Sequence, residues 1–332
     1  MKLKWQIVRL QLKEKFSLSY GDYTFRDALI ISLNYNRETG YGECIAINYY
    51  NINLNEFILK LELVKNKIER QSILHPIKFY SFLKKLRLHL FLQSALDCAY
   101  WDLFGKLENK NFLELNSISY KRLKTSSITI SAAPVQEQLD KIEALGWKKY
   151  KIKCNNYDSK SIEMLYNTGK KIALDANGSF TIDNCKELEE NPISKKLTYI
   201  EQPLEVGYQN FSNLDITKNV NWMADEDYQG NRTFTSLKSH YTSINLKLVK
   251  VGGLTPALNA IKKARANKLK IMIGCMTETT IGISAGAVLV PLVDFVDLDG
   301  ANLIAYDLAR GSSIKKGRVL LSEKPGLGIS LK

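Results

Sequence analysis

Carboxylates follow three short apolar segments in the second half of the chain. The segments end in Leu174-Asp175, Ile200-Glu201 and Ala224-Asp225. Carboxylates that are brought together repel one another unless a cation lies among them. Carboxylate oxygens are ligands that Mg²⁺ prefers, and such a site keeps open positions for substrate oxygens and water. We therefore predict that Asp175, Glu201 and Asp225 bind Mg²⁺, although each of them taken alone would also fit a helix N-cap.

Two lysines at strand ends are candidates for proton transfer. In Lys151-Ile152-Lys153 the alternation of a strand sends both lysines to one face, and a buried lysine is seldom structural. Lys247 lies in a later segment, and its rival Lys250 is expected in the loop that follows. A neutral lysine can take a proton from the carbon next to a carboxylate, the metal stabilises the enediolate, and a second lysine returns a proton to the opposite face. We predict Lys153 and Lys247 as this pair; the alternative is strand-end lysines in solvent.

Two further aspartates lie in Asp297-Leu298-Asp299-Gly300, where both side chains share one face. Together they would suit an ammonium group on a substrate. The alternative is a pair of loop or capping aspartates, because Asp is common in turns.

The elements that carry these residues recur regularly. Eight apolar segments begin at intervals of 21 to 27 residues, near Ile128, Tyr150, Lys171, Leu197, Asn221, Ser243, Lys270 and Asp294. That interval holds a strand, a loop and a covering helix. Eight such repeats predict a parallel barrel with its chemistry at the C-terminal strand ends, and they place the second and sixth strands opposite each other. A doubly wound sheet is the alternative, but the first segment is not followed by a glycine-rich turn.

The first 120 residues follow another pattern, in which strands precede helices, as in an α+β unit. Strand-like stretches cover 3–12 and 28–35, and Gly40–Glu43 is expected to turn into a third strand. Helical periodicity covers 56–68, 77–88 and 91–105, where Gly105 is expected to end the helix.

The composition excludes several classes of protein. The chain has 332 residues, of which 45% are hydrophobic and 24% charged, so it is globular. It has no apolar run of ~18 residues and no export signal, so we expect neither membrane insertion nor secretion but the cytoplasm.

Five scattered cysteines without a CxxC pair indicate reduced thiols. The net charge of +13 is spread along the chain without a nucleic-acid motif, so we expect a solvated lysine-rich surface and no nucleic acid.

Together these motifs resemble the enolase superfamily, its muconate-lactonising subgroup and, within it, the dipeptide epimerases, which include L-Ala-D/L-Glu epimerase. The matching elements are K-x-K at 151–153, D-A-N at 175–177, I-E-Q-P at 200–203, A-D-E at 224–226, Lys247 followed by K-x-G-G at 250–253, G-C-M-x-E-x at 274–279 and D-x-D-G at 297–300.

The resemblance implies an α/β fold, a modified (β/α)8 TIM-type barrel. It also implies an α+β capping domain at 1–120 with a mobile loop near 17–26, the barrel at 121–305, and a segment at 306–332 that returns to the cap. The implied ligands of Mg²⁺ are Asp175, Glu201 and Asp225, and the implied acid/base pair is Lys153 and Lys247. The implied substrate contacts are Lys151, Arg26, Asp297, Asp299, Cys275 and Met276.

The implied activity is epimerisation of the C-terminal residue of an L-Ala-L-Xaa dipeptide, with L-Ala-L-Glu the leading candidate. An arginine expected early in the loop near 17–26 is absent; Arg26 comes later, and Lys151 is a second cation for an acidic side chain. Other second residues therefore stay open. So do a cycloisomerase, an o-succinylbenzoate synthase and an N-acylamino acid racemase, as well as a non-catalytic barrel that binds polyanions. The expected partner is a small-molecule dipeptide, and a homo-oligomer stays open.

Overall fold

Two kinds of sheet make up the computed structural model, which describes residues 1–18, 21–229 and 234–332. The strands are β1 (Lys2–Leu18), β2 (Gly21–Tyr35), β3 (Glu38–Ile45), β4 (Ile128–Ile130), β5 (Lys149–Lys153), β6 (Lys171–Asp175), β7 (Ile200–Glu201), β8 (Trp222–Ala224), β9 (Ser243–Lys247), β10 (Lys270–Gly274), β11 (Phe295–Asp297), β12 (Ala309–Arg310), β13 (Ser313–Lys315), β14 (Arg318–Leu320) and β15 (Ser330–Leu331). The α-helices are α1 (Leu54–Glu69), α2 (Pro76–Lys85), α3 (Leu90–Leu107), α4 (Phe112–Leu115), α5 (Val135–Leu145), α6 (Ser159–Tyr166), α7 (Ile182–Glu190), α8 (Tyr208–Phe211), α9 (Phe234–Leu237), α10 (Leu248–Val251), α11 (Leu254–Ala266), α12 (Thr280–Ala287) and α13 (Gly300–Leu303).

Strands β4 to β11 pair in chain order, and every pairing between them is parallel. The ring closes beside β4, where Ser126 bridges to Val296 and the backbone N–H of Ser127 donates to the carbonyl of Val296 at 3.0 Å. Helices follow the strands, but α8, α9 and α13 have only four residues each. This arrangement confirms the predicted fold class, a modified (β/α)8 barrel with an antiparallel sheet beside it.

An apolar layer fills the barrel below its C-terminal mouth. Ala173, Tyr199, Met223 and Met272 form a buried cluster inside the ring. Strand side chains alternate between faces, so the residue two positions further along points in the same direction. On three of these strands that residue is Asp175, Glu201 or Asp225. The carboxylates therefore stand directly above an apolar floor that keeps them out of water.

The N-terminal unit is a three-stranded antiparallel sheet, β1-β2-β3, that packs on helix α3. The fit is close, since a Cβ on Gly42 would lie 1.9 Å from the carbonyl oxygen of Ala95. Helix α3 also contacts the barrel, because the buried Asp97 accepts hydrogen bonds from the backbone N–H and the hydroxyl of Thr255, each at 2.8 Å.

Two expectations for this unit were wrong. The chain turns into β3 at Asn36 and Arg37, not at Gly40–Glu43, which lies inside β3 where glycine allows contact with α3. Gly105 does not end its helix, which continues to Leu107. A side chain there would clash with the C-terminal segment, since a Cβ would lie 2.5 Å from the Cα of Gly326.

The segment expected to be a loop near 17–26 is largely strand. Phe16 pairs with Tyr23 and Ser17 with Asp22 across β1 and β2, because the two strands continue as one long hairpin. Positions 19 and 20 of this segment lie outside the described residues. Its mobility stays a prediction.

The C-terminal segment runs back to α3 and α4. The backbone N–H of Leu327 donates to Oδ1 of Asp102 at 2.8 Å, and Nζ of Lys106 donates to the carbonyl of Ile329 at 2.8 Å. The domain boundaries at 120 and 305 stay a prediction. Within the described ranges, no helix is both long enough and apolar enough to cross a membrane.

Candidate active site

A pocket at the C-terminal ends of the barrel strands is closed on one side by the cap. Eight of the residues singled out from the sequence line it: Arg26, Lys151, Lys153, Lys247, Cys275, Met276, Asp297 and Asp299. Eight others that line it were not singled out: Phe16, Ile47, Tyr50, Thr129, Asn177, Glu226, Thr277 and Leu303. The three predicted metal ligands lie directly behind the lysines, as their contacts below show.

The three carboxylates lie at one level of the barrel and are fully buried. Asp175 and Glu201 pair in register across β6 and β7, and Asp225 follows β8. Burial raises the pKa of Glu201 well above its usual value, and the negative charges of Asp175 and Asp225 add to that rise. Burial would also raise the pKa of Asp225, but Lys247 and Lys250 outweigh it and hold that pKa well below its usual value.

The two predicted acid/base lysines reach these carboxylates from different strands. Nζ of Lys153 on β5 donates to Oδ2 of Asp175 at 2.6 Å, and Nζ of Lys247 on β9 donates to Oδ2 of Asp225 at 2.8 Å. Both lysines are buried. Burial would lower the pKa of Lys247, but the charges of Asp225 and Glu201 raise it above its usual value.

Two more lysines complete the cluster. Lys151 donates to Oδ2 of Asp297, and its Nζ lies 3.4 Å from Oδ2 of Asp175 and 3.5 Å from Oε2 of Glu201. Lys250 was expected in the loop after the sixth barrel strand, and this was wrong. It lies on the short helix α10, is buried, and donates to the carboxylate and to the carbonyl of Asp225.

The donor set fits a divalent cation. As placed, the carboxylates contact ammonium groups, and in the described part of the chain no three His, Cys, Asp or Glu side chains are already arranged around a common metal position. However, one ammonium nitrogen lies between Asp175 and Glu201 within 3.5 Å of both. Oε2 of Glu201 is buried without a hydrogen-bond partner. A buried carboxylate oxygen without a hydrogen bond, whose cationic neighbour Lys151 is 3.5 Å away, is a ligand that a hard cation would satisfy.

Two side-chain amides, those of Gln202 and Asn245, hold two of the three carboxylates in position. Oε1 of Gln202 accepts hydrogen bonds from the backbone N–H groups of Asp225 and Asp227, at 3.1 and 3.0 Å. Nδ2 of Asn245 donates to Oε1 of Glu201 at 2.6 Å. The sequence held a signal for Gln202, which stands inside the I-E-Q-P element.

The two aspartates at the C-terminal end of β11, Asp297 within it and Asp299 just after it, lie in the wall of the same pocket. Oδ1 of Asp297 accepts from the hydroxyl of Ser127 at 2.7 Å, and Oδ2 of Asp299 accepts from the backbone N–H of Thr129 at 2.6 Å. Burial, together with the charge of Asp297, raises the pKa of Asp299 to about 6. Because Oδ2 of Asp297 is paired with Lys151, Asp299 is the carboxylate of the two that offers its charge to a cationic ligand group.

Other lining residues come from the cap and from the β10–α12 connection. The guanidinium of Arg26 lies 3.3 Å over the ring of Tyr23, and its buried Nε has no hydrogen-bond partner in the described structure. Burial raises the pKa of the Cys275 thiol well above its usual value, so Cys275 contributes a neutral surface beside Met276.

Comparisons with known proteins agree with this geometry. Residues 135–332 match the family model described as enolase C-terminal domain-like. An L-Ala-D/L-amino acid epimerase of Maribacter sp. is 36% identical over 100% of this chain and 99% of its own.

Solved structures are similar over nearly the whole chain. An enolase family member from Agrobacterium tumefaciens with homology to dipeptide epimerases, with bound sodium and L-Ala-L-Glu, is 26% identical with a TM-score of 0.85, covering 96% of this chain and 97% of its own. A dipeptide epimerase from Methylococcus capsulatus, complexed with Mg and L-Arg-D-Lys, shares the fold with a TM-score of 0.88 at 23% identity, covering 99% of each chain. The chain belongs to the enolase C-terminal domain-like family and, within it, to the dipeptide epimerases, which are isomerases.

Proposed function

We propose that this protein is a Mg²⁺-dependent epimerase that inverts the α-carbon of the C-terminal residue of an L-Ala-L-Xaa dipeptide. The observation that carries the proposal is the pair of buried lysines on β5 and β9, the second and sixth strands of the ring. Each lysine is hydrogen-bonded to a different carboxylate of the trio. Two amines held on opposite sides of one pocket are suited to proton transfer on the two faces of one carbon.

Asp175, Glu201 and Asp225 would hold the magnesium ion. When bound, it supplies positive charge that stabilises negative charge developing on the substrate carboxylate. The full burial of the three carboxylates, one oxygen of which has no hydrogen-bond partner, supports this assignment. The relative from Agrobacterium, with its bound sodium, supports a cation in this family.

The chain's own lysines move the proton. A neutral Nζ on one lysine takes the α-proton, and the electron pair of the broken C–H bond moves toward the substrate carboxylate. The ammonium on the other lysine then gives a proton to the opposite face of the carbon, which inverts it. Reversal exchanges the two roles, so each lysine serves as base for one epimer and as acid for the other.

Asp297 and Asp299 would bind the α-ammonium of the dipeptide. Both are buried in the pocket wall, and neutral hydrogen-bond donors fix one oxygen of each. Lys151 already compensates Asp297. An acylated nitrogen would therefore leave the carboxylate of Asp299 without a cationic partner, whereas a charged ammonium would supply one. This favours a dipeptide over the substrates of an N-acylamino acid racemase or a cycloisomerase.

Arg26 supports an acidic second residue, with L-Ala-L-Glu the leading candidate. Its guanidinium lines the pocket, and its Nε has no hydrogen-bond partner in the described structure. Lys151, the other cation considered for this role, is surrounded by three carboxylates. A carboxylate on the substrate side chain would satisfy the buried guanidinium.

A panel of L-Ala-L-Xaa dipeptides in deuterated water tests the proposal. The purified protein, with and without Mg²⁺, is incubated with each dipeptide, and loss of the α-proton signal is followed by NMR. We expect Mg²⁺-dependent exchange and epimerisation, fastest with L-Ala-L-Glu. Exchange of N-acylamino acids but of no dipeptide would contradict the proposal.

A further inference from the structure

Asn177 connects one of the two acid/base lysines to a second carboxylate. Its Oδ1 accepts from Nζ of Lys153 at 2.8 Å, and its Nδ2 donates to Oε1 of Glu226 at 2.9 Å. All three side chains line the pocket. The result is a chain of hydrogen bonds, Lys153–Asn177–Glu226, which we call the Asn177 link.

We propose that Asn177, oriented by Glu226, is a positioning residue that aims Nζ of Lys153 at one face of the substrate α-carbon. Proton transfer on that face, and not on the opposite face, then depends on the Asn177 link. This inference rests on the proposed function.

The hydrogen-bonding groups allow one arrangement of the amide. An ammonium group only donates, so the amide oxygen must face Lys153. The NH₂ group then faces Glu226, whose carboxyl oxygen accepts from it. Glu226 is more than nine-tenths buried. If the amide turned over, its NH₂ group would face the ammonium and its oxygen would face the carboxylate, so both hydrogen bonds would be lost.

A neutral amide is suited to aiming a base. A carboxylate next to an amine favours the protonated amine, whereas an amide oxygen holds the nitrogen without adding a full negative charge. Lys153 has one partner of each kind, Asp175 and Asn177. Among the described residues no side-chain amide is hydrogen-bonded to Lys247, whose Nζ donates to Asp225. The two lysines are therefore held differently: Lys153 by a carboxylate and an amide, and Lys247 by a carboxylate.

The backbone holds Asn177 where its side chain is needed. Its φ is 44°, in the left-handed region, which Asn and Gly adopt more readily than other residues. Its backbone N–H donates to Oδ1 of Asp175 at 3.2 Å. Asn177→Gly would therefore remove the amide without straining this turn.

The test measures α-proton exchange in deuterated water from each epimer separately, with Mg²⁺. Lys153→Ala and Lys247→Ala first define which epimer depends on which lysine. For Asn177→Gly we expect a loss of about tenfold or more in exchange from the epimer that depends on Lys153, since small misplacements of a reacting group cost one to two powers of ten. Exchange from the other epimer, which depends on Lys247, should change by less than about twofold, because the substitution leaves the position of Lys247 unaltered.

Three comparisons make the result specific. Asn109→Gly is the matched control, because Asn109 has a φ of 50° and is exposed at the end of α3. Glu226→Gln, which keeps an acceptor for the amide, should retain more of the Lys153-dependent exchange than Glu226→Leu. Calorimetric titration with Mg²⁺ should show unchanged affinity in Asn177→Gly.

Each contrary result has a definite meaning. Equal loss from both epimers, or no loss from either, overturns the positioning role of Asn177. Weakened Mg²⁺ binding in Asn177→Gly assigns the residue to the metal site instead. If the unaltered enzyme exchanges neither epimer of any dipeptide, the proposed function fails, and this inference fails with it.

Discussion

Asp299 and Lys151 each have a partner in the pocket that fixes their position. Asp299 is held by the backbone N–H of Thr129 and lies beside the negative charge of Asp297. Lys151 is held by Asp297. A substrate ammonium therefore meets a site whose charges are already positioned, and its recognition should depend on the full charge of Asp299.

We expect Asp299→Asn to raise KM for L-Ala-L-Glu by about 30-fold, since a hydrogen bond between charged groups contributes about 1.5–3 kcal/mol. Steady-state kinetics measure this change. Asp294→Asn is the control. It is the same substitution, but Asp294 lies just before β11, whereas Asp299 lies just after it. Unchanged KM in Asp299→Asn would contradict the role of Asp299 in binding the substrate ammonium.

Arg26 offers a second test at the scale of the residue. Arg26→Met should lower the preference for L-Ala-L-Glu over L-Ala-L-Leu by about tenfold, because a buried charge-assisted pair is lost. Competition between the two dipeptides measures the preference. Arg9→Met is a matched control, because Arg9 also stacks on an aromatic ring, that of Phe25 at 3.8 Å, but is exposed. The same preference in both variants would show that Arg26 does not contact the second residue.

At the scale of the element, the N-terminal end of α12 connects the cap to the barrel. Glu43 on β3 accepts hydrogen bonds from the backbone N–H and hydroxyl of Thr279 and from the backbone N–H of Gly282. These are donor groups that a helix end leaves without partners inside the helix, and a carboxylate there also interacts favourably with the helix dipole. The buried carboxyl group thus fixes the cap over the pocket.

Glu43 should make stability depend on pH. Burial raises its pKa from the usual 4.5 to about 7. The folded state therefore binds the proton more tightly than the unfolded state, so this contribution to the free energy of unfolding falls as pH rises from about 4.5 to about 7. We expect Glu43→Gln to reduce that slope in urea unfolding measured across this range. Glu38→Gln, at the other end of β3, is the control, and an unaltered slope in Glu43→Gln would contradict the assignment.

The barrel elements were predictable because their pattern repeats. A strand buried on both sides needs an apolar run, and a covering helix needs a fixed length of chain, so the eight strand positions followed from spacing. In the cap, glycine was misleading. Gly42 and Gly105 allow close contact with distant segments, Ala95 and Gly326, and that use of glycine gives no local signal that distinguishes it from a turn.

For the molecule as a whole, the pocket depends on segments that lie far apart in the chain. The sequence predicted that Lys153, Asp175 and Lys247 lie together on the barrel, because each stands at the C-terminal end of a strand. Phe16 and Leu303 were missed, because their position depends on how the cap packs over the barrel mouth. Asn177 and Glu226 were missed for another reason: they stand beside metal ligands in the D-A-N and A-D-E elements, and the sequence gives no separate signal for a role of their own.

The C-terminal segment should be required for the stability of the whole molecule. Leu327 and Ile329 are buried against the cap, and Lys106 and Asp102 bind their backbone. Deletion of 322–332 should lower the free energy of unfolding by several kcal/mol, at about 1.5–3 kcal/mol for each buried side chain. Thermal unfolding measures the loss, and deletion of the exposed Lys332 alone is the control. Equal melting temperatures for the two deletions would contradict this role.

The most direct test of the central claim is α-proton exchange in Lys247→Ala with Mg²⁺, starting from L-Ala-L-Glu and, separately, from L-Ala-D-Glu. With two lysines on opposite faces, the variant should lose epimerisation and exchange the α-proton of one epimer only. Lys153→Ala should exchange only the other epimer. Full epimerisation in both directions by Lys247→Ala would contradict the account.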